Sequence, residues 1–222
     1  MNIVLFGEGK MGKLIDKLAT EKGHQIVAIA SSNNPANSLD LSAADVAIDF
    51  STPTTAFENI SHAINSGVPV ISGTTGWLNE KERIEDLCKA NNGAFLYSSN
   101  FSLGMNLFFK LNKQLAQLMK NQQYESKIHE IHHVGKIDSP SGTAKTLAKD
   151  VEGILNNKPL ITVDRIKNVS GEHSITYSSL EDEIEIKHTA NNRNGFAKGA
   201  IRAAEWIIDK KGVFTLNDTL TQ

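Results

Sequence analysis

Apolar residues in the first hundred positions follow two alternating patterns. Short apolar runs predict buried β-strands, and segments with apolar residues at helical spacing predict helices over 13–23, 53–65 and 79–91. Strands that alternate with helices form a parallel sheet with right-handed crossovers and helices on both faces. The pattern therefore predicts a doubly wound α/β domain. Its strands are predicted at Asn2–Phe6, Gln25–Ala30, Asp45–Phe50, Val68–Ser72 and Ala94–Ser98.

The pattern changes after residue 100. One long helix is predicted over 102–120 and a shorter one over 143–155, each with a single apolar face. Residues 173–180 and 183–190 are typical of paired antiparallel strands, because the second run alternates apolar and charged residues. These elements predict a second, smaller α+β domain.

A last helix is predicted over 196–211, and we expect it to return to the first domain and cover its sheet. The expected first domain is therefore 1–103 together with 195–222, and the second is 104–194.

Composition excludes several classes of protein. The net charge of −2 gives no electrostatic reason to bind nucleic acid or an anionic membrane. No apolar stretch approaches the roughly 20 residues that span a bilayer, and the N-terminus has no signal-peptide pattern. The single cysteine, Cys88, excludes an internal disulfide and is typical of a reducing compartment. We expect a soluble, cytoplasmic protein.

The first strand and the first helix are joined by a glycine loop, Gly7-Glu8-Gly9-Lys10-Met11-Gly12. Its G-x-G-x-x-G pattern permits a tight turn, a close approach of the backbone to a pyrophosphate, and close helix–strand packing. The amino end of the helix adds free N–H groups and partial positive charge. In this context the motif predicts a Rossmann-type dinucleotide-binding domain, and the alternative is a glycine-rich turn with no ligand.

The end of the second strand bears on the choice of nucleotide. An acidic residue there usually hydrogen-bonds the 2′-hydroxyl of NAD, but residues 30–34 read Ala-Ser-Ser-Asn-Asn. Without that carboxylate a 2′-phosphate is not repelled, and Lys10 can pair with one. NADPH and NADH are therefore both expected cofactors.

Residues 129–133 spell His-Glu-x-x-His, the pattern of a zinc-protease helix. That interpretation needs a helix, whereas Gly135 and Pro140 follow closely and residues before 129 show no apolar helical face. On a strand, His129 and His133 would lie roughly 13 Å apart, too far for one ion. We expect a strand and no metal. If the histidines have no function, the alternative is a solvated strand that carries them by chance.

A proton-transfer interpretation accounts for more of these residues. His132 can exchange protons near neutral pH, and Lys136 adds a cation. Ser141-Gly142-Thr143 begins an amphipathic helix directly after Pro140, so its N–H groups form an anion site. Together they predict a pocket for a small carboxylate, as in a dehydrogenase or reductase.

The run Glu130–Ala144 resembles the E-x-H-H-x-x-K-x-D-x-P-S-G-T-A signature of the dihydrodipicolinate reductase family. Further blocks with counterparts in that family fall in order along the chain, so the resemblance covers its whole length. The departures are the missing acidic residue after the second strand and the short chain. The blocks are Ile48–Pro53, Gly73–Trp77, Ser98–Asn106 and Arg193–Trp206.

The resemblance implies the reduction of a cyclic, imine-containing dicarboxylate by a nicotinamide hydride, on the diaminopimelate route to lysine. His132 matches the family's proton donor or acceptor and Lys136 its second proton donor. His133 matches a substrate-binding position, as do Ser141, Gly142 and Thr143. The first domain would bind the dinucleotide and the second the substrate. The second domain's sheet would also hold together a homotetramer. The other segments that match cofactor-binding positions are Gly73-Thr74-Thr75 and Ser98-Ser99-Asn100-Phe101.

The residues alone leave two other functions open. One is a dehydrogenase that acts on a different imine or carbonyl acid. The other is a dinucleotide sensor, which would be indifferent to loss of His132 and Lys136.

Overall fold

The computed structural model describes residues 1–220, which form two compact units. Unit 1 comprises Met1–Ser102 and the chain from Phe196 onward, and unit 2 comprises Leu103–Gly195. The strands are β1 (Asn2–Phe6), β2 (Gln25–Ala30), β3 (Val46–Asp49), β4 (Val70–Ser72), β5 (Ala94–Tyr97), β6 (Glu125–His132), β7 (Leu160–Arg165), β8 (Glu172–Ser178), β9 (Glu183–Thr189) and β10 (Gly212–Thr215). The helices are α1 (Lys10–Glu21), α2 (Ala56–Asn65), α3 (Lys81–Ala90), α4 (Leu103–Met119), α5 (Gly142–Leu155) and α6 (Asn194–Ile207).

Unit 1 is built on a six-stranded sheet with the order β10-β5-β4-β3-β1-β2. Every pair of neighbouring strands is parallel. The chain leaves β1 toward β2 on one side and then crosses to β3 on the other, so the winding reverses at β1. The predicted doubly wound α/β fold is confirmed.

Alternate residues of the unit 1 strands enter different apolar cores, because successive side chains of a strand point to opposite faces. Ile3 and Leu5 are buried with Ala200 of α6. Val4 and Phe6 are buried on the other face, together with apolar residues of α2 and α3. Helices therefore cover both faces, which explains why these strands read as continuous apolar runs.

Unit 2 contains a mixed four-stranded sheet with the order β7-β6-β8-β9. The β6–β7 pair is parallel, while β6–β8 and β8–β9 are antiparallel. Ile128, Ile175 and Tyr177 point to one face, where they form a buried core with apolar residues of α4 and α5. The predicted second α+β domain is thus present, with helices on one face of its sheet.

Candidate active site

The loops after β1, β2 and β3 surround a cavity of about 830 Å³ within unit 1. In the strand register Phe6 lies opposite both Ala30 and Asp49, so these loops begin at one edge of the sheet. Open doubly wound sheets bind ligands at this carboxyl edge, where the winding reverses. The cavity volume lies within the roughly 300–1,000 Å³ of small-molecule sites. Gly7, Glu8 and Gly9 contribute to its wall.

The three glycines of the predicted loop are required for different reasons. A Cβ on Gly7, whose φ is +110°, would lie 2.3 Å from the carbonyl oxygen of Phe50, and one on Gly12 would lie 2.0 Å from that of Gly7. A Cβ on Gly9 would meet nothing within 4 Å. Gly9 is the N-cap of α1, so the open space lies beside N–H groups that suit a pyrophosphate. The loop therefore fits a dinucleotide.

The end of β2 forms a tight turn in which Ser31 and Asn34 exchange backbone hydrogen bonds of 2.9 and 3.2 Å. Ser31 and Ser32 line the cavity. Within residues 1–220, neither a lysine nor an arginine lies on its wall, and Glu8 and Glu58 are its acidic members. Lys10 is exposed at the first position of α1 instead.

A buried carboxylate that the sequence did not single out connects the loops after β3 and β4. Asp49 is fully buried and accepts hydrogen bonds from the hydroxyls of Ser51 at 2.6 Å and Ser72 at 2.7 Å. The Ser51 N–H in turn donates to the Thr74 hydroxyl at 2.8 Å. Burial raises the pKa of Asp49, and these hydroxyls act against the rise. The network fixes the predicted Gly73–Thr75 segment beside the cavity loop.

The predicted segment after β5 has mixed roles. Ser98 donates to the carbonyl of Asn100 at 2.8 Å, which closes a turn at the carboxyl edge. Ser99 is exposed there. Phe101 is 1% exposed and packs against Phe50, with 5.7 Å between ring centroids. The Phe101 side chain is therefore a core residue, as is Met11, which packs against the same core.

Three buried polar side chains form the centre of unit 2. Ile128, Glu130 and His132 occupy every second position of β6, so their side chains share one face of the strand. Ile128 belongs to the core on that face, and Glu130 and His132 therefore point toward the helix-covered side of the sheet. His173 lies directly opposite Glu130 on β8. The three are 0%, 8% and 3% exposed. Buried polar groups are costly without partners, so this cluster is either functional or part of a hydrogen-bonded network.

The amino end of α5 is bound to this cluster. Ser141 is the N-cap, and its hydroxyl oxygen accepts the Ala144 N–H at 3.1 Å. The Ser141 N–H donates to Glu130 Oε1 at 3.0 Å. Gly142 and Thr143 form the first turn, whose N–H groups lack intrahelical acceptors and attract anions.

The loop between β6 and α5 carries the predicted cation. The Lys136 N–H donates to the His133 carbonyl at 3.0 Å, which makes a turn directly after β6. Lys136 Nζ lies 2.7 Å from Asp138 Oδ1. This hydrogen bond lowers the pKa of Asp138. Because Asp138 is exposed, such a pair is weak, and Lys136 can exchange this partner for another carboxylate. Unit 2 thus places His132, Lys136 and the first turn of α5 along one continuous segment.

The protonation of the imidazoles follows from burial and nearby charge. Burial lowers the pKa of His132, the Glu130 carboxylate opposes that effect, and Lys136 and Arg165 reinforce it. Burial also lowers the pKa of His173, to about 4. His173 is therefore neutral at pH 7, and the pKa of His132 lies below the usual imidazole value.

The His-Glu-x-x-His pattern does not form a helix, because Glu125–His132 is a strand. His129 points away from the cluster and bonds to the Thr162 hydroxyl at 2.9 Å. Glu130, His132 and His173 do lie close enough to hold a metal ion, with one possible ligand atom of each within 4.8 Å of the others. However, the Arg165 guanidinium lies 3.5 Å from Glu130 Oε1, so a cation already faces this carboxylate.

We expect no catalytic metal at this cluster. Exhaustive chelation should leave catalytic activity unchanged, and elemental analysis should find no stoichiometric zinc. A rate that falls on chelation and returns with zinc would contradict the proton-transfer interpretation.

Comparisons with known proteins identify the family to which both units belong. Residues 1–101 match the family model "Dihydrodipicolinate reductase, N-terminus", and residues 104–220 match "Dihydrodipicolinate reductase, C-terminus". The chain belongs to the dihydrodipicolinate reductase family. It is therefore an oxidoreductase enzyme, and the family implies an NAD(P)-binding domain.

Relatives in other organisms match over nearly the full chain. A 4-hydroxy-tetrahydrodipicolinate reductase of Christiangramia forsetii is 44% identical over 100% of this chain and 98% of the relative. The enzyme of that name from Lawsonia intracellularis is 34% identical, with 98% of each chain covered. The match extends through the predicted signature Glu130–Ala144.

Solved structures share the fold. A dipicolinate-bound dihydrodipicolinate reductase from Paenisporosarcina sp. TG-14 superposes with a TM-score of 0.81 at 20% identity, and 98% of each chain is covered. A probable dehydrogenase from Thermotoga maritima gives a TM-score of 0.65 at 9% identity, covering 99% of this chain and 92% of the other.

Within residues 1–220, no helix is both long and apolar enough to span a bilayer.

Sequence reasoning did not assign a function to Glu130, His173 or Arg165. One signal was available for Glu130, because it lies two residues before His132 and so shares its face of a strand. His173 and Arg165 are distant in sequence from His132, and only strand pairing brings them to it.

Proposed function

We propose that this chain reduces 4-hydroxy-tetrahydrodipicolinate, through dihydrodipicolinate, to tetrahydrodipicolinate in the diaminopimelate route to lysine. The observation that carries the proposal is the placement of His132, Lys136 and the amino end of α5 together in unit 2. Both curated relatives described above have this activity in their names. Family membership favours it over a dehydrogenase for another acid and over a dinucleotide sensor.

The chemistry of the substrate explains the residues. The nicotinamide nucleotide supplies a hydride when bound, and electron density then develops on the imine nitrogen. A positioned acid or cation stabilises that density. His132 and Lys136 are the proposed proton donors. His133 and Ser141, with the first-turn residues Gly142 and Thr143, hold the dicarboxylate, since a helix amino end attracts anions.

Unit 1 is the proposed nucleotide-binding domain. Its glycine loop, the serine-lined end of β2 and the cavity at the carboxyl edge support this role. We place the enzyme in the cytoplasm, in keeping with its one cysteine, Cys88, which is buried. The proposed cofactor-binding residues are Gly7, Glu8, Gly9, Lys10, Met11, Gly12, Gly73, Thr74, Thr75, Ser98, Ser99, Asn100 and Phe101. Met11 and Phe101 would contribute through their backbone, since their side chains pack in the core.

We also propose a homotetramer that forms through the sheet of unit 2. Helices α4 and α5 pack on one face of this sheet. Lys127 and Lys187 point to the other face and are exposed in the single chain. That face is available to a second copy, and light scattering should give the mass of four chains. A monomer at micromolar concentration would contradict this assembly.

The decisive assay generates the substrate in situ with the preceding aldolase and follows NADH and NADPH absorbance separately. We expect both nucleotides to support turnover, because the Ser31–Asn34 turn neither binds a 2′-hydroxyl through a carboxylate nor repels a 2′-phosphate with one. Oxidation of the nucleotide should require the aldolase product. Absence of turnover with this substrate would refute the proposed function.

The ratio of kcat/KM for the two nucleotides tests the cofactor prediction. A preference for NADH above about a hundredfold, roughly 2.7 kcal/mol, would contradict it. Lys10→Met should lower kcat/KM for NADPH more than for NADH if Lys10 pairs with the 2′-phosphate. Lys13→Met is the matched control, since Lys13 is exposed on the same helix one turn further on.

A further inference from the structure

Glu130 is a buried carboxylate that the proposed reaction does not use directly. It is fully buried, and an ionised carboxylate in that setting is costly unless it is paired. Burial acts to raise the pKa of Glu130. The side chain and backbone of Ser141, together with nearby imidazoles, outweigh this effect and lower the pKa. Glu130 is therefore ionised at neutral pH.

The two oxygens of Glu130 face different parts of unit 2. Oε1 accepts the Ser141 N–H at 3.0 Å and lies 3.5 Å from the Arg165 guanidinium. Oε2 lies 3.6 Å from His132 Nδ1 and 3.5 Å from His173 Nε2. One carboxylate thus contacts the amino end of α5 through one oxygen and faces two imidazoles with the other.

The facing atoms favour one tautomer of His132. Glu130 Oε2 and His132 Nδ1 are both buried and have no hydrogen-bond partner within residues 1–220. An ionised carboxylate only accepts hydrogen bonds, so a small movement that closes the 3.6 Å gap makes Nδ1–H the donor. His132 Nε2 is then left as the reactive nitrogen. His132 Nε2 faces Gly171, and a Cβ added at Gly171 would lie 3.3 Å from this nitrogen.

We infer that Glu130 is a positioning residue that holds His132 with Nδ1–H toward its carboxylate and Nε2 free, and that fixes the amino end of α5 to the same carboxylate. This inference rests on the proposed function, because it assigns Glu130 a role through the proton donor His132. It extends that function, because the same carboxylate would orient His132 and fix the helix end that binds the dicarboxylate.

Several charged groups act on His132, and they set the sign of the expected change. On β6 the carboxylate of Glu130 favours imidazolium, and in the following loop Asp138 does the same. Lys136 in that loop and Arg165 on β7 oppose it. From β8, His173 packs edge-to-face against His132 with ring centroids 4.9 Å apart. Removing the Glu130 charge therefore leaves the cations and lowers the pKa of His132.

Glu130→Gln tests the inference with a side chain of the same shape. The glutamine oxygen can still accept the Ser141 N–H, but its NH₂ group then faces His132 Nδ1 as a donor. The neutral imidazole should switch to the Nε2–H tautomer, and the pKa of His132 should fall because the negative charge that favours imidazolium is gone. The descending limb of the kcat–pH profile should move to lower pH by a similar amount. We expect kcat at pH 7 to fall on the order of a hundredfold, and KM to change less.

Nitrogen-15 NMR of the histidine rings reads the tautomer and the pKa without any turnover, and a His132→Gln spectrum assigns the signal. In the unsubstituted enzyme, neutral His132 should carry its proton on Nδ1. An Nε2–H tautomer there would overturn the inference, and this measurement needs no variant that might fail to fold. Glu130→Asp retains the charge and should keep the His132 pKa closer to that of the parent than Glu130→Gln does.

Ser141→Ala is the matched comparison, because it removes the helix cap and the hydroxyl contact with His173 Nε2 but keeps the Glu130 carboxylate and its contact with the backbone N–H of residue 141. It should raise KM for the dicarboxylate and lower the His132 pKa less than Glu130→Gln does. If Glu130→Gln shifts neither the tautomer nor the pKa, the positioning role is wrong whatever the reaction. If both shift while the kcat–pH profile does not move, positioning stands and the role of His132 in the proposed reaction fails.

Discussion

Replacing His132 or Lys136 by alanine is expected to lower kcat by on the order of a hundredfold to a thousandfold, with little change in nucleotide affinity. Both residues belong to unit 2, at the end of β6 and in the loop that follows. The proposed nucleotide cavity is formed entirely by residues of unit 1. The loss should therefore fall on the chemical step, where charge develops on the imine nitrogen.

Steady-state kinetics and fluorescence titration with NADPH measure the two effects separately. Thr143→Ala should mainly raise KM, because the anion site acts on the dicarboxylate in the ground state and in the transition state alike. Lys149→Ala is the control for lost lysine charge, since Lys149 is exposed on α5. Near-normal kcat in the His132 and Lys136 variants, or nucleotide affinity lost in proportion to rate, would refute the assigned roles.

Gly12→Ala and Gly9→Ala are expected to impair the glycine loop in different ways. A Cβ on Gly12 would lie 2.0 Å from the Gly7 carbonyl oxygen, so β1 and α1 would have to separate. Such a clash with backbone should cost about 3 kcal/mol of unfolding free energy. A Cβ on Gly9 meets nothing within 4 Å, so Gly9→Ala should keep its stability. That Cβ would instead occupy the space into which the pyrophosphate fits.

Denaturant unfolding and nucleotide titration distinguish the two variants. Gly9→Ala should raise the Kd for NADPH on the order of tenfold, about 1.4 kcal/mol, at unchanged unfolding free energy. Gly12→Ala should lower the unfolding free energy and weaken binding with it. Equal NADPH affinity in Gly9→Ala and the parent would show that the backbone at Gly9 does not approach the cofactor.

The sequence by itself determined the architecture and the chemistry-bearing segments. Continuous apolar runs indicated strands buried on both faces, and the parallel sheet of unit 1 has them there. The glycine loop was recognisable because its requirements are local, since Gly7 and Gly12 contact each other within one strand–turn–helix unit. The segment 129–144 could be interpreted because a strand end, a cation and a helix start follow one another directly. By contrast, β7 and β10 gave no clear signal, since each is an edge strand without a fully buried residue.

Only the tertiary structure decided how the polar groups are paired. In the sequence, Asp49 is only a polar residue at the end of an apolar strand. The strand register places Ser72 beside it and so gives its carboxylate a partner. Glu130 meets His173 because β6 and β8 pair in one particular register, which residues 43 positions apart in the sequence do not encode locally. A shift of one residue would turn every side chain of a strand to the other face. Periodicity depends on neighbours in the chain, whereas the partners of a buried charge depend on tertiary packing. The pairing of Glu130 with His132, His173 and Arg165 was therefore visible only in the fold.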